Sequence, residues 1–420
     1  MTRLFHLAAR SAWNRRATLG LTLIAILLAV TLLLGIERLR QDARANFAHS
    51  VSGADLVVGA RASPIQLMLY AVFRLGEATQ NMSWEAARRL DAHPAVAWTI
   101  PISLGDSHRG YPVVGTRANY FEHFMYGDRE PLRFAAGRPF EALFEAVIGA
   151  EVAARLGYAL NERITLAHGS GGIDFAHHDD KPFTVVGILA RTGTPVDRSV
   201  HISLEAMEAI HLDWQGGAPI PGLSIPPELV RKFDLTPKSV TAVLVGLHQR
   251  AGVFALQREI NDSPDEPLMA VMPGIALSQL WEMLAVAERA LLAISGLVVL
   301  VGLAGLVAVI LASLGERRRE LAILRAVGAA PREVFMLLAL EGLVLTLLGI
   351  LLGLALTTLI AAGLGPWLSA QYGLAPLSIL PTSQEGCWLL LVLAVGTLAS
   401  LLPGWRAYRL SLADGLTPRL

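Results

Sequence analysis

GERRRELAILRAVGAAPRE, residues 315–333, places five arginines and three glutamates between two of the most hydrophobic runs of the chain. Upstream, residues 291–314 run for 24 residues without a charge. That length crosses a hydrocarbon core about 30 Å thick at about 1.5 Å per helical residue. Downstream, residues 334–364 form a longer run interrupted only by Glu341. A charged segment caught between two spans is a loop at the membrane surface, and its arginines assign it to the cytoplasmic side. Residues 388–402 reach spanning length once Gly386 and Cys387 are added, and residues 17–36 form a fourth run. The basic residues before that run resemble the start of a secretory signal. Its apolar length exceeds the usual signal core of about 7–15 residues and no small-x-small site follows Ile36, so it reads as an uncleaved anchor.

Orientation follows from arginine placement. Residues 1–18 hold four Arg and no acid, and residues 403–420 hold three Arg against Asp414. Both ends are therefore expected inside, in a bacterial inner membrane. The expected order is a cytoplasmic N-terminus (1–16), a span (17–36), a large periplasmic domain (37–289), a span (290–314), the cytoplasmic loop (315–333), a span (334–364), a short periplasmic loop (365–385), a span (386–403) and a cytoplasmic tail (404–420). The fold class is thus an integral membrane α-helical protein with four transmembrane helices and a large α+β domain inserted between the first and second. The whole chain is neutral, but 37–289 carries 23 of 35 basic and 29 of 35 acidic residues, a net of −6. That balance offers no basic face for nucleic acid. With Cys387 the only cysteine, the external domain must fold on its apolar core without disulfides.

Within that domain, β-rich runs at 54–59, 95–103, 111–116, 183–189, 200–204 and 240–247 are bounded by Gly, Pro, Asp or Asn. Helical patterns are expected at 84–90 behind Ser83, at 146–156, at 204–210 behind Ser203 and at 253–260. Gly and Pro mark 169–172 and 215–227 as loops, the latter a candidate lobe boundary. Leu39, Ala43 and Phe47 recur after the first span, and Leu277, Trp281 and Leu284 recur before the second. That spacing predicts helices continuing outward as a two-helix stalk.

Candidate sites are few. No GxxxxGK[ST] phosphate loop occurs, so no nucleotide is bound in that way. No Ser-His-Asp, Cys-His or HExxH arrangement suggests catalysis. Ten of eleven histidines lie in 37–289, and His168 with His177, His178, Asp179 and Asp180 offers donors that a transition metal accepts. No fixed ligand spacing supports a site there, and a solvated loop is the favoured reading. Residues 63–76, SPIQLMLYAVFRLG, are too short to span and too apolar for a free loop. Ile65, Leu67, Met68, Tyr70, Val72 and Phe73 are the candidate contacts with the outer bilayer face or a lipid-like substrate; the alternative is a core helix. Glu341 is expected at the headgroups or paired with an arginine, and Gly349-x-x-x-Gly353 permits close helix packing.

In the 315–333 loop, Leu321, Leu324 and Val327 form an apolar ridge flanked by Glu316, Arg317, Glu320 and Arg325. Gly328 ends the short helix, and Pro331 starts the next. The spacing Glu316-Arg317-x-x-Glu320-Leu321-x-x-x-Arg325-Ala326-x-Gly328-Ala329 resembles the permease family that includes FtsX, MacB, LolC and LolE, and residues 146–165 and 183–204 resemble that family's periplasmic core domain. Ala322 and Ser411 depart from the family's usual glycine and proline. The resemblance implies a dimeric permease of an ABC system, driven through the 315–333 coupling loop by a separate cytoplasmic ATPase that binds the ATP and Mg. It implies no cofactor bound directly. A second permease copy, membrane lipids and a periplasmic or outer-membrane protein are the expected partners. The expected work is extraction or export of an amphiphilic, lipid-linked or peptide substrate. The alternatives are a transducer that activates a periplasmic enzyme, or a membrane module linked to metal homeostasis.

Overall fold

The structure, a computed structural model, describes residues 16–409 except 49, 51, 77, 170–175, 179, 216–217, 221–224, 317–327 and 373–380. Four of its helices are long and apolar enough to cross a membrane: Arg16–Ala48, Pro273–Glu316, Pro331–Tyr372 and Ser383–Arg409. Contacts divide the chain into two units, one of helices and one spanning mainly residues 43–284.

In the helical unit, Ile26, Val30, Leu34, Leu303, Leu306, Ile310, Leu338 and Ile350 form a buried seam. Small residues bring the backbones together where hydrocarbon solvent supplies no hydrophobic drive. A Cβ on Gly349 would lie 2.5 Å from Ile26 Cγ2, and one on Gly353 would lie 2.8 Å from Val30 Cβ and 3.0 Å from the Leu27 carbonyl oxygen. These two glycines therefore seat the third helix on the first. Gly342 against Ser400 and Gly396 against Thr346 close the third helix on the fourth in the same way.

The other unit is built on two sheets. One is antiparallel, in the order Leu268–Val271, Leu56–Ala60, Ala242–Leu247, Val96–Ile102. The second is mixed. Val200–Ser203 runs parallel to Tyr111–Thr116 and antiparallel to Glu145–Ile148, and the latter runs parallel to Phe183–Leu189. Its far edge continues through Asp106–His108, Ala167–His168 and Ala176–His177. Buried Phe183, Val185, Gly187 and Leu189 alternate with part-exposed Thr184, Val186 and Ile188, the period-two pattern of a half-covered strand. Helices start where the sequence supplies caps: Ser83 Oγ accepts from the Ala86 N–H and Ser203 Oγ from the Ala206 N–H. The stretch expected as a helix over 146–156 is instead a strand to Ile148 and a helix from Ala150 to Leu156. Gly149 separates them, its Cα held so close to the Val196 and Asp197 carbonyls that no side chain fits.

Candidate functional site

The described helix Pro64–Ala71 resolves the status of residues 63–76. Leu67, Met68, Tyr70, Val72 and Phe73 are all buried in the core with Ile100, Leu244 and Leu277, and Ile65 is half-buried. Of the two readings left open for this segment, the burial supports the core helix over the bilayer or substrate contact, although Leu75 remains exposed. Of the loop residues, 317–327 lie outside the described residues. Gly328 has φ +108, and Pro331 opens the following helix, whose Glu333 carboxylate accepts from the Ala330 N–H. Glu341 is half-buried on that helix.

A polar pair that sequence reasoning missed locks the helical unit. Arg38 Nε donates to Glu385 Oε1 at 2.8 Å and Arg38 Nη2 to Glu385 Oε2 at 3.2 Å. The two side chains are 4% and 0% exposed. Glu385 stands in the first turn of the fourth helix, where the helix dipole favours an anion. Beside it, Glu37 accepts from Arg40 and Gln41, and Arg40 reaches Glu288 at 3.7 Å. The available signal was a lone acid before the fourth apolar run and the first arginine after the first run. The same unit contains a cleft of about 380 Å³ lined by apolar side chains, among them Leu33, Leu297, Leu300, Trp388 and Val392.

A second constellation lies in the sheet-based unit, at the edge of the mixed sheet. Asp106 and His168 are directly opposed on neighbouring strands, and His168 pairs in turn with Ala176. His178 follows the Ala176–His177 strand, and His211 caps the C-terminus of the Leu204–Ile210 helix. One donor atom from each of Asp106, His168, His178 and His211 falls within 4.8 Å of the others. His168 Nδ1 is 3.1 Å, His211 Nε2 3.4 Å and His178 Nε2 3.8 Å from Asp106 Oδ1, and His211 Nε2 is 3.3 Å from His168 Nδ1. Of the three residues picked out by sequence, His178 belongs to the group, His177 lies on the strand before it and Asp179 lies outside the described residues. Asp106 and His211 were missed because no local spacing links them to His168.

The electrostatics are lopsided. Burial by itself would raise the Asp106 carboxyl, but the three imidazoles around it overcome that and hold it well below the usual carboxylate range. Burial would lower the His211 imidazole; the Asp106 carboxylate and the Met207 carbonyl outweigh it and raise it. His201, fully buried and without a carboxylate among the groups acting on it, shows the opposite outcome: burial, reinforced by the Arg74 charge, pushes it down to about 3. The Trp214 ring packs on His178 with centroids 4.3 Å apart and also touches His168 and His211. Lys181, fully buried, donates to both Asp213 carboxylate oxygens at 2.8 Å, so the segments bearing His178 and His211 are tied together.

The sequence pattern of the MacB-like periplasmic core domain matches residues 19–261, and that of the FtsX-like permease C-terminal region matches residues 292–412. The chain belongs to the FtsX/MacB-like permease family. Four membrane-capable helices with an α+β domain between the first and second are the arrangement of such a permease, a multi-pass membrane protein. Among solved structures, the periplasmic region of MacB from Actinobacillus actinomycetemcomitans is 11% identical at a TM-score of 0.33, with 56% of this chain and 94% of that chain covered. The extracellular domain of the noncanonic ABC-type transporter YknZ from Gram-positive bacteria is 13% identical at a TM-score of 0.29, with 52% and 98% covered. No curated protein matches the chain.

Proposed function

We propose that this permease works with a separate ABC ATPase in the bacterial inner membrane, with both termini and the 315–333 loop in the cytoplasm. In this reading it turns ATP-driven motion into work on an amphiphilic, lipid-linked or peptide substrate at the periplasmic face. The observation that carries the reading is helix continuity. The first helix runs 33 residues and the second 44, against the roughly 20 needed to span, so each continues beyond the length of a span. Motion imposed on the 315–333 loop at the end of the second helix has a stiff path to the other end of that helix. The chain's lack of a phosphate loop supports a reading in which the nucleotide chemistry resides on a partner. The apolar cleft beside Leu33 and Trp388 supports an acyl-bearing substrate, a role that the buried 63–76 segment no longer supports.

Two measurements test this. An alkaline phosphatase fused after Gly216 is expected to be active and a cytoplasmic reporter at the same place silent; the reverse pattern overturns the orientation. In proteoliposomes holding the permease and its ATPase, ATP is expected to release a labelled amphiphile to an acceptor. ATP-dependent activation of a periplasmic hydrolase with no amphiphile movement would replace transport by signalling.

A further inference from the structure

We propose that Asp106, His168, His178 and His211 bind one divalent transition-metal ion of the zinc class in the domain between the first and second membrane helices. Four observations converge on it.

The first is spacing. Donors around a tetrahedral zinc, each about 2.0–2.1 Å from the ion, stand roughly 3.3 Å from one another. Four of the six separations here are 3.1, 3.3, 3.4 and 3.8 Å, and all lie within 4.8 Å. Small side-chain rotations within this set bring all four onto one ion.

The second is the proton inventory. A carbonyl oxygen only accepts, so the 2.8 Å contact of His211 Nδ1 with the Met207 carbonyl oxygen fixes the proton on Nδ1. That leaves Nε2 to aim its lone pair at the cluster. Backbone anchoring of the remote ring nitrogen is how metal-binding histidines are usually oriented.

The third is unmet demand. His178 is 1% exposed, yet neither of its ring nitrogens has a hydrogen-bond partner among the described residues, and neither does Asp106 Oδ2. Meanwhile three imidazole nitrogens gather around the one oxygen Oδ1. A hydrogen-bond network alone would spread donors over both carboxylate oxygens, because buried polar groups are satisfied in nearly all folds. A cation shared by the four side chains accounts for the crowding and for the bare nitrogen of His178 together.

The fourth is the shell. The Trp214 indole packs against all three imidazoles and excludes water from one side, while a cavity of about 290 Å³ lined by Asp106, His168 and Arg74 gives access from another. Three nitrogens and one carboxylate suit zinc, cobalt, nickel or copper(II). Magnesium and calcium demand oxygen-rich sites.

The four ligands come from two sheet-edge strands, the segment after a third and a helix C-terminus, so occupancy would tie the sheet edge to the Leu204–Ile210 helix. The test uses the full-length permease in detergent, stripped with chelator and reloaded with zinc or cobalt(II). Elemental analysis is expected to give one ion per chain, the cobalt(II) form to show intense tetrahedral visible bands, and zinc to raise the thermal midpoint by mass action. His178→Ala and His211→Ala are expected to lose the bands and the zinc-dependent shift, while His177→Ala keeps both. Asp106→Asn retains the shape of the carboxylate and is expected to weaken binding without unfolding the chain, as read from its metal-free midpoint. Undiminished stoichiometry in a His168→Ala/His211→Ala double variant, or a cobalt(II) spectrum without tetrahedral bands, would overturn the assignment.

Discussion

Glu385→Ala is expected to lower the thermal stability of the detergent-solubilised permease more than any other single truncation in the helical unit. The substitution removes the Glu385 carboxylate from Arg38, whose side chain is 4% exposed. Breaking a buried pair by removing one member costs about 3–5 kcal/mol, because the surviving charge loses its bidentate partner while remaining out of water. Arg38→Ala is expected to be nearly as severe. Glu385→Gln retains one acceptor and is expected to fall between. The pair is bidentate, a geometry in which lysine does not substitute for arginine. Arg38→Lys is therefore also expected to lose stability. The double variant Arg38→Met/Glu385→Leu removes both charges and is expected to recover most of the loss, since well-packed apolar replacements of buried ion pairs are often neutral or stabilising. A midpoint for Glu385→Ala equal to that of the unmodified chain would show that the pair is not buried in the membrane-embedded protein.

Gly353→Val is expected to have the next largest effect. A side chain there meets the Leu27 carbonyl oxygen at 3.0 Å and both Val30 Cβ and Cγ1 at 2.8 Å, and a backbone oxygen cannot rotate aside. The first and third helices must separate, at a cost of about 1–3 kcal/mol or more. Gly349→Val is expected to act in the same direction, against Ile26. Gly363 supplies the control on the same helix: nothing lies within 4 Å of a Cβ placed there, and the residue is exposed. Gly363→Ala is expected to be neutral or slightly stabilising, since alanine is the better helix former by about 1 kcal/mol. Equal effects of alanine at 349, 353 and 363 on the thermal midpoint would contradict the packing role.

Much of this architecture was legible in the chain because membranes impose simple rules. Apolar length marks the helices, and Gly349-x-x-x-Gly353 points to a close helix contact that the structure places against Ile26 and Val30. In the inserted domain the runs at 111–116, 183–189 and 204–210 coincide with observed elements, since each has its turn residue or cap beside it. What was hidden depends on distance along the chain. Arg38 and Glu385 are 347 residues apart, and Asp106 is 62 residues from His168. Only strand pairing across the mixed sheet sets Asp106 opposite His168, and no local pattern encodes that register. Residues 63–76 misled for a different reason: apolar composition does not distinguish a face turned to lipid from one turned to the domain's own sheet. The short edge strands at 106–108, 167–168 and 176–177 are two or three residues long, too brief for alternation to show.

In the proposed function, this chain transmits the work of a separate ATPase through its 315–333 loop. The most direct measurement is co-purification of the ATPase with the tagged permease bearing Leu321→Asp and Leu324→Asp. These changes put two carboxylates on the apolar ridge without touching a span. The double variant is expected to insert normally and to lose the ATPase that the unmodified permease retains. An undiminished yield of ATPase with the double variant would contradict that function.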